Sequence, residues 1–212
     1  MLVRSVMLSA AAAFILAATP TLACKGDKKL FNDDFQAVDE TWNSDGSYVT
    51  VEDGKVKVKA GANLGYAFLY PTTDFSIFDY CLSVRMPNNV DASINDSSGG
   101  VLFWAADASN YYFYSLYSDG RVGLFRKNKD KWTTVLNGRK VEGVNIGPGK
   151  KNRLRVTAEA SSITLYVNDT KVSTLKAPQP EGASQIGIRS ESEKAKPDAW
   201  KFFDLAVTDV AK

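Results

Sequence analysis

The chain has 212 residues, 44% of them hydrophobic, and its formal charge at pH 7 is only +2. This length suits one domain with a substantial core, and the scattered charges of both signs give no reason to expect nucleic acid or an anionic membrane as a partner. Histidine is absent, which excludes Ser/His/Asp and Cys/His catalysis and, with only two cysteines, disfavours a zinc site.

The first 23 residues have the layout of a secretory signal peptide. Arg4 precedes an apolar run, and the small residues Thr21 and Ala23 suit cleavage before Cys24. The run is too short to span a bilayer, and no later segment is apolar enough to form a transmembrane segment. We therefore expect a periplasmic or secreted protein whose mature chain, residues 24–212, is a single domain.

The two cysteines, Cys24 and Cys81, suggest one disulfide, because an even count is typical of exported chains with paired thiols. A lipoprotein is the alternative, since cleavage would leave Cys24 as the first residue. Thr21 stands where lipid-attachment sequences usually have leucine, and lipidation would leave Cys81 as a free thiol. The sequence therefore favours the disulfide and leaves lipidation as the second interpretation.

Beyond Phe31 the chain reads as short strands separated by turn signals. Asp53-Gly54, Asp119-Gly120 and Asn168-Asp169 each stand between alternating segments, and LNGR at residues 136–139 carries a similar signal. No segment sustains a helical period. About a dozen strands with hairpin turns predict an all-β antiparallel sandwich or barrel.

Several strands alternate cleanly and predict one buried and one wet face. Cys81 falls on the wet face of its strand, where an N-terminal segment crossing the outside could meet it. The residues predicted to face the core are Leu82, Val84 and Met86; Leu154 and Val156; Ile163, Leu165 and Val167; Ile186 and Ile188; and Phe203, Leu205 and Val207.

The central strands, from VLFWAA to VGLFRK, carry aromatic residues on both faces. In YYFYSLY the face with Tyr112, Tyr114 and Leu116 is assigned to the core, because the opposite face contains Ser115. A contiguous aromatic surface of this size is uncommon on a monomer unless something covers or binds it. The residues predicted to form this outward patch are Trp104, Tyr111, Phe113, Tyr117 and Phe125.

The segments FNDDF, GGVLFWA, RKNKDKW, KNRLRV, ITLYVNDTKV and FFDLAVTD together span nearly all of the mature chain. The chain resembles the concanavalin A-like lectin/glucanase superfamily, in particular bacterial exported LamG-like domains and the related 3-keto-disaccharide hydrolase domain. The resemblance implies an antiparallel jelly-roll β-sandwich of two curved sheets. It also implies that ligands lie on the concave sheet or over its rim loops.

The catalytic motif of the glucanase branch, E-x-D-x-x-E on one strand, is missing. The nearest pair is Glu191 and Glu193 in RSESEK, and lysines rather than a third carboxylate follow it. A solvated loop or strand end is the favoured interpretation of these two residues. We predict no catalytic residues of the glucanase type.

Three carboxylates, Asp33, Asp34 and Asp204, lie in the first and last strands, which should be neighbours in this fold. They are weak candidates for calcium, which binds several oxygen ligands. Carboxylates near strand ends are more often turn or edge residues, so no cofactor is predicted and calcium stays an alternative.

The aromatic patch predicts binding of a carbohydrate or glycoconjugate, because aromatic rings pack on the C–H surfaces of sugars and pockets combine apolar walls with a few polar groups. A loop or the other sheet covering the patch is the competing explanation. Two other functions stay open: a hydrolase or lyase acting on a keto-glycoside, and a protein-interaction module of the cell envelope. We expect a monomer.

Overall fold

The computed structural model describes residues 24–37, 41–42, 47–71, 74–89, 97–182 and 184–211. The predicted signal peptide, residues 1–23, lies outside these ranges. Within them the chain forms strands, turns and loops but no helix. No segment there qualifies as a helix long and apolar enough to cross a membrane.

Fourteen strands are present in the described ranges, and all of their pairings are antiparallel. They are β1 (Lys29–Asp33), β2 (Val49–Glu52), β3 (Lys55–Lys59), β4 (Gly65–Tyr70), β5 (Phe78–Arg85), β6 (Ser98–Asp107), β7 (Asn110–Tyr117), β8 (Arg121–Asn128), β9 (Lys131–Lys140), β10 (Lys151–Glu159), β11 (Ser162–Val167), β12 (Thr170–Lys176), β13 (Gln185–Glu191) and β14 (Ala199–Thr208).

The strands divide into two sheets packed as a sandwich. The larger sheet has the order β12-β11-β10-β5-β14-β3-β2, and β1 also pairs with β14. The smaller sheet has the order β4-β13-β6-β7-β8-β9. The first and last strands are therefore neighbours, as the sequence predicts, and the antiparallel sandwich is confirmed.

The main core lies between the sheets and is built from the inward faces of both. Leu82 and Val84 of the larger sheet and Phe103, Tyr112 and Leu116 of the smaller one are almost completely buried in it. This confirms the face predicted for YYFYSLY.

Buried tyrosines of the core keep their hydroxyls hydrogen-bonded. Tyr80 Oη donates to the carbonyl of Gly187 across the sandwich at 2.9 Å, and Tyr114 Oη donates to the carbonyl of Tyr166 at 3.2 Å. Because a buried hydroxyl without a partner is costly, these bonds let large aromatic residues fill the core and tie the two sheets together.

Most predicted turns are confirmed, and one is wrong. Asp53-Gly54 and Asn168-Asp169 have positive φ angles and close the hairpins β2–β3 and β11–β12. LNGR, by contrast, lies inside β9, where the pairing with β8 is irregular. The β8–β9 turn is formed by Lys129 and Asp130, both with positive φ. The extra residues that looked like a turn instead form bulges in the strand.

Two bulges reverse the predicted faces of two aromatic residues. Trp104 has a φ of 44° where the β6–β7 register shifts, and Asp204 has a φ of 53° where the β14–β5 register shifts. A bulge adds one residue to a strand and so changes which side chains face inward beyond it. Trp104 consequently lies in the main core, while Phe202 takes the inward position that was predicted for Phe203.

The predicted disulfide between Cys24 and Cys81 is present, so Cys24 has no free thiol for a lipid. It closes a loop with a sequence separation of 57, and chain-entropy reasoning gives it about 4 kcal/mol of stabilisation. Asp79 supports the same junction. Its carboxylate accepts from Arg155 Nε at 2.7 Å and from the Lys25 backbone N–H at 3.0 Å. Cys81 therefore meets an N-terminal segment outside the core, as predicted. The face predicted to be wet is nevertheless buried, since Cys81 is 0% and Ser83 is 1% exposed.

Candidate functional site

The predicted aromatic patch falls on the outer face of the smaller sheet, with one exception. Tyr111, Phe113, Tyr117 and Phe125 project from β7 and β8 away from the main core. Trp104 does not join them: its indole packs against Phe78 and Tyr112 in the core, and its Nε1 donates to the carbonyl of Ser76 at 3.0 Å. The patch therefore begins at β7 rather than β6.

The outer face is not a flat exposed platform. Tyr111 is fully buried and Phe113 is 2% exposed, while Tyr117 and Phe125 are half-buried. The buried rings belong to a second apolar cluster, separate from the main core, to which β4 and β6 also contribute. Its members are Leu102, Ala105, Tyr111 and Phe113, with Ala67, Leu69 and Phe125 packed against them.

A row of small side chains crosses the outer face. Cross-strand pairing places Ala67, Gly100, Ser115 and Gly123 side by side on four strands, with Arg189 of β13 between Ala67 and Gly100. Directly opposite residues on neighbouring strands share a face, so these residues form a strip of small side chains, and Gly100, Ser115 and Gly123 are buried beneath the longer side chains on either side. We call this strip the groove.

Aromatic and polar side chains stand on the two sides of the groove. Phe113 and Phe125 are cross-strand partners on one side, and Glu191 lies in the row on the other side with Tyr117. The Tyr117 and Phe125 rings lie 6.4 Å apart in an edge-on arrangement. A Cβ at Gly123 would crowd the Phe125 ring at 2.9 Å, so glycine leaves space for that ring.

Arg189 and Glu191 form the charged end of the groove. Arg189 Nη2 donates to Glu191 Oε1 at 2.7 Å, and Ser98 Oγ donates to Glu191 Oε2 at 3.2 Å. The Arg189 guanidinium also lies 5.6 Å from the centre of the Phe113 ring. At Gly65, a Cβ would overlap this guanidinium, so the absence of a side chain makes room for it.

Trp132 of β9 covers the groove from the opposite rim. It is 44% exposed, whereas the other three tryptophans are at most 6% exposed. Its ring meets Tyr111 edge-on at 5.7 Å and lies 5.1 Å from the Arg189 guanidinium. β13 and β9 are four strand spacings apart, about 19 Å in a flat sheet, which is too far for two side chains to meet. The sheet therefore curls, and its outer face is concave.

Two buried polar atoms in the groove have no hydrogen-bond partner among the described residues: Tyr111 Oη and Arg189 Nε. Burial raises the pKa of Tyr111 to about 12, so the phenol stays neutral and can donate or accept a hydrogen bond at physiological pH. Buried groups of this kind are normally satisfied, and an unsatisfied pair in a concave site is suited to a polar ligand.

The residues that complete the groove, Trp132, Arg189 and Glu191, were missed as site residues by sequence reasoning. Alternation in QIGIRSE does place Arg189 and Glu191 on the wet face of their strand. It does not reveal that β13 lies beside β6, since the two strands are far apart in the chain. Glu191 is the last residue of β13, as the strand-end interpretation predicts. The solvated position predicted for Glu193 is wrong: it is 4% exposed and forms an ion pair with Lys196 at 2.8 Å.

The calcium candidates do not come together. Asp33 accepts hydrogen bonds from the Phe35 backbone N–H and from Trp42 Nε1, and Asp34 accepts one from the Gln36 N–H. Asp204 bonds Ser83 and Lys151. In the part of the chain that the structure describes, the one grouping of metal-binding residue types is Cys24, Asp79 and Cys81, whose sulfurs form the disulfide.

Two curved antiparallel sheets with an aromatic groove on the concave one define a concanavalin A-like jelly-roll sandwich, which confirms the predicted fold class. Residues 26–202 match the 3-keto-alpha-glucoside-1,2-lyase-like domain, and the chain belongs to that family. No curated protein sequence gives a significant match.

Solved structures with the same fold include sugar-binding and glycosidase proteins. The carbohydrate-binding module CBM66 from Bacillus subtilis has 18% identity and a TM-score of 0.60, covering 79% of this chain and 91% of that one. The metal-free Emp46p carbohydrate recognition domain has 11% identity and a TM-score of 0.62, covering 85% and 95%. A xylan beta-1,4-xylosidase from Bacillus halodurans C-125 has 10% identity and a TM-score of 0.62, covering 84% and 39%. At these identities the likeness concerns the fold.

Proposed function

We propose that the protein is an exported carbohydrate-binding protein whose ligand lies in the groove against Trp132. The observation that carries the proposal is the pairing of an exposed indole with two buried, unpartnered polar atoms, Tyr111 Oη and Arg189 Nε. A sugar ring offers a C–H face to the indole and hydroxyls to the polar atoms. Glu191 adds an acceptor beside them.

Movement of Trp132 is part of this proposal, because its ring covers Tyr111 and contacts the Arg189 guanidinium. A ligand reaches the two polar atoms when the indole swings outward or is replaced by the sugar ring. Related structures described as a carbohydrate-binding module and a carbohydrate recognition domain support sugar as the ligand class. The disulfide supports export, since paired cysteines persist in oxidising compartments.

The first experiment is a glycan array, followed by titration calorimetry of the best ligand. We expect Trp132→Ala to weaken binding at least about tenfold, because a central tryptophan is a typical hot spot. Tyr48→Ala is the matched control, since Tyr48 is 37% exposed and packs on Tyr66 instead of the groove. Ligand should also change tryptophan fluorescence through Trp132, the exposed indole. Unchanged affinity in Trp132→Ala would rule out the groove.

A second candidate, cleavage of a 3-keto-glycoside, is favoured by Glu191 and by the family to which the chain belongs. Glu191 is a half-exposed carboxylate at the groove, oriented by Arg189 and Ser98. A ketone at C3 acidifies the proton on C2. A carboxylate base can remove that proton as the C1–O bond breaks, and the departing oxygen takes up a proton.

Turnover is distinguished from binding by product analysis of keto-glycosides with the wild type and Glu191→Gln. If Glu191 is the base, wild-type protein releases the aglycone and Glu191→Gln loses about two or more orders of magnitude in rate. Glu52→Gln, at an exposed acid of β2, is the control. Substrate that binds but stays intact in the wild type would leave binding as the function.

A further inference from the structure

A row of four cationic side chains crosses the outer face of the larger sheet, on the opposite side of the sandwich from the groove. Lys57 of β3 pairs with Lys201 of β14, Lys201 pairs with Arg85 of β5, and Arg85 pairs with Lys151 of β10. Cross-strand partners share a face and lie about 4.8 Å apart, so the row extends over about 14 Å.

This row is only partly neutralised. Lys151 forms an ion pair with Asp204 at 3.2 Å, while Lys57, Arg85 and Lys201 have no ion pair with any described residue. Like charges placed directly opposite on neighbouring strands destabilise a sheet. The chain as a whole has a net charge of only +2. The positive charge is therefore concentrated locally, in residues that are far apart in the sequence but adjacent in the larger sheet.

An open cleft of about 370 Å³ adjoins the row. It is lined by Asp53, Gly54, Lys55, Arg85, Lys201 and Phe203. The β14 bulge turns the Phe203 ring out to this surface. Lys151 Nζ lies 4.3 Å and Arg85 Cζ 5.5 Å from its centre. The cleft therefore combines one half-buried aromatic ring with the cations Lys55, Arg85 and Lys201. Lys55 forms an ion pair with Asp53, the one carboxylate of the lining, at 3.3 Å, so Arg85 and Lys201 are the cations left for a ligand.

We propose that this cleft is a second binding site, for an acidic polysaccharide. The carboxylate or sulfate groups of the glycan contact Lys201, Arg85 and their neighbours, and a sugar ring packs at Phe203. Charge complementarity carries the assignment, because a linear polyanion neutralises a linear row of cations. The site lies on the other sheet from the groove and does not depend on the function proposed there.

The composition of the cleft favours a glycan over two other polyanions. Single-stranded nucleic acid is usually held by several aromatic platforms that stack successive bases, and this cleft has one ring. An anionic membrane is held by apolar side chains that enter the lipid as well as by charge, and Phe203 is the single large apolar residue lining the cleft.

The test is titration of the full-length mature protein with heparin, polygalacturonate and neutral dextran. Heparin and polygalacturonate separate sulfate from carboxylate as the recognised group. We expect the double variant Arg85→Gln/Lys201→Gln to bind the preferred acidic glycan at least about tenfold more weakly. Its dependence on salt concentration should fall to roughly half, because two of the four cations are gone.

The matched control is Lys171→Gln/Lys176→Gln, which removes the same charge from two exposed lysines of β12. This control and Trp132→Ala are expected to keep wild-type affinity for the acidic glycan. Equal losses of affinity in Arg85→Gln/Lys201→Gln and in Lys171→Gln/Lys176→Gln would mean that net charge alone accounts for binding, which would overturn the proposal. Weaker binding of the acidic glycan by Trp132→Ala would mean that the glycan binds in the groove and not in the cleft. The same conclusion, that the cleft is not a glycan site, follows if no acidic glycan binds.

Tighter binding of a single-stranded oligonucleotide or of phosphatidylglycerol vesicles than of either glycan would also overturn the proposal. Circular dichroism and a melting curve check that each variant is folded. The substituted side chains lie on the outer face of the sheet, and relief of charge repulsion should leave the melting temperature of Arg85→Gln/Lys201→Gln equal or higher.

Discussion

At the scale of single residues, the groove depends on glycines, whose lack of a side chain leaves space for the long side chains of their neighbours. Gly65 leaves space for the Arg189 guanidinium, and Gly123 leaves space for the Phe125 ring. With small residues at these positions, the long side chains can lie across neighbouring strands instead of standing apart. Arg189 is thereby held between Glu191 and the Phe113 and Trp132 rings, with its Nε left unpartnered.

Tyr111 provides the sharpest test at this scale. Its hydroxyl is buried without a partner in the described structure, a state that typically costs about 1–3 kcal/mol. We therefore expect Tyr111→Phe to raise the free energy of unfolding by up to about 1 kcal/mol while weakening binding of the groove ligand. Chemical denaturation measures the first change and calorimetry the second.

The control for Tyr111→Phe is Tyr114→Phe, which removes a hydroxyl that donates to the Tyr166 carbonyl. Losing that bond should lower stability by about 1 kcal/mol, because the carbonyl is left without its donor. The two substitutions remove the same atoms, so opposite signs isolate the role of the partner. A lower stability in Tyr111→Phe would mean that its hydroxyl is satisfied in the folded protein.

At the scale of elements, alternation along the strands predicts most of the inward and outward faces correctly. YYFYSLY and VGLFRK have the inward and outward faces expected from period two, and four of the five patch residues lie on the predicted face. The hairpin at Asn168-Asp169 is also readable, since these residue types tolerate positive φ.

The errors at this scale have one physical cause. Trp104 and Phe203 both adjoin a bulge, and a bulge shifts the face of every residue beyond it until the register is restored. A local pattern does not reveal a bulge, because the extra residue is defined by the partner strand. The consequence differs between the two residues. Trp104, predicted in the outward patch, lies in the core, whereas Phe203, predicted in the core, lines the cleft on the larger sheet.

The order of the strands within each sheet is the second property that local sequence patterns do not predict. β13 lies between β4 and β6, and this placement brings Arg189 and Glu191 beside the aromatic residues of β7. The four cations of the larger sheet likewise come from β3, β5, β10 and β14, which are dispersed along the chain. Both proposed sites are therefore products of long-range pairing.

At the scale of the whole molecule, the sandwich presents two chemically different faces. The concave outer face of the smaller sheet combines aromatic rings with a neutral Arg–Glu pair. The outer face of the larger sheet carries unneutralised cations. A near-neutral net charge conceals this difference, which is why composition alone gave no reason to expect an anionic partner. Since the faces are opposed, one molecule could hold two glycan chains or two parts of one chain.

The core between these faces makes the whole fold sensitive to alkaline pH. Burial raises the pKa values of Tyr80, Tyr111 and Tyr114 above the value of about 10 found in unfolded chains, to about 12 for Tyr111. Above pH 10 the unfolded state therefore releases protons that the folded state retains. Their contribution to stability is complete below pH 10 and is lost as pH rises toward the folded-state pKa values.

For Tyr111 alone, raising the pKa from 10.0 to about 12 corresponds to about 2 kcal/mol of stability lost by pH 12. We expect the free energy of unfolding, measured with urea, to fall steeply between about pH 10 and 12, with phenolate absorbance of the buried tyrosines appearing together with unfolding. Tyr111→Phe should reduce this fall, while Tyr48→Phe, at an exposed tyrosine, should not. Ionisation of all nine tyrosines near pH 10 in a still-folded protein would contradict the burial of these three side chains.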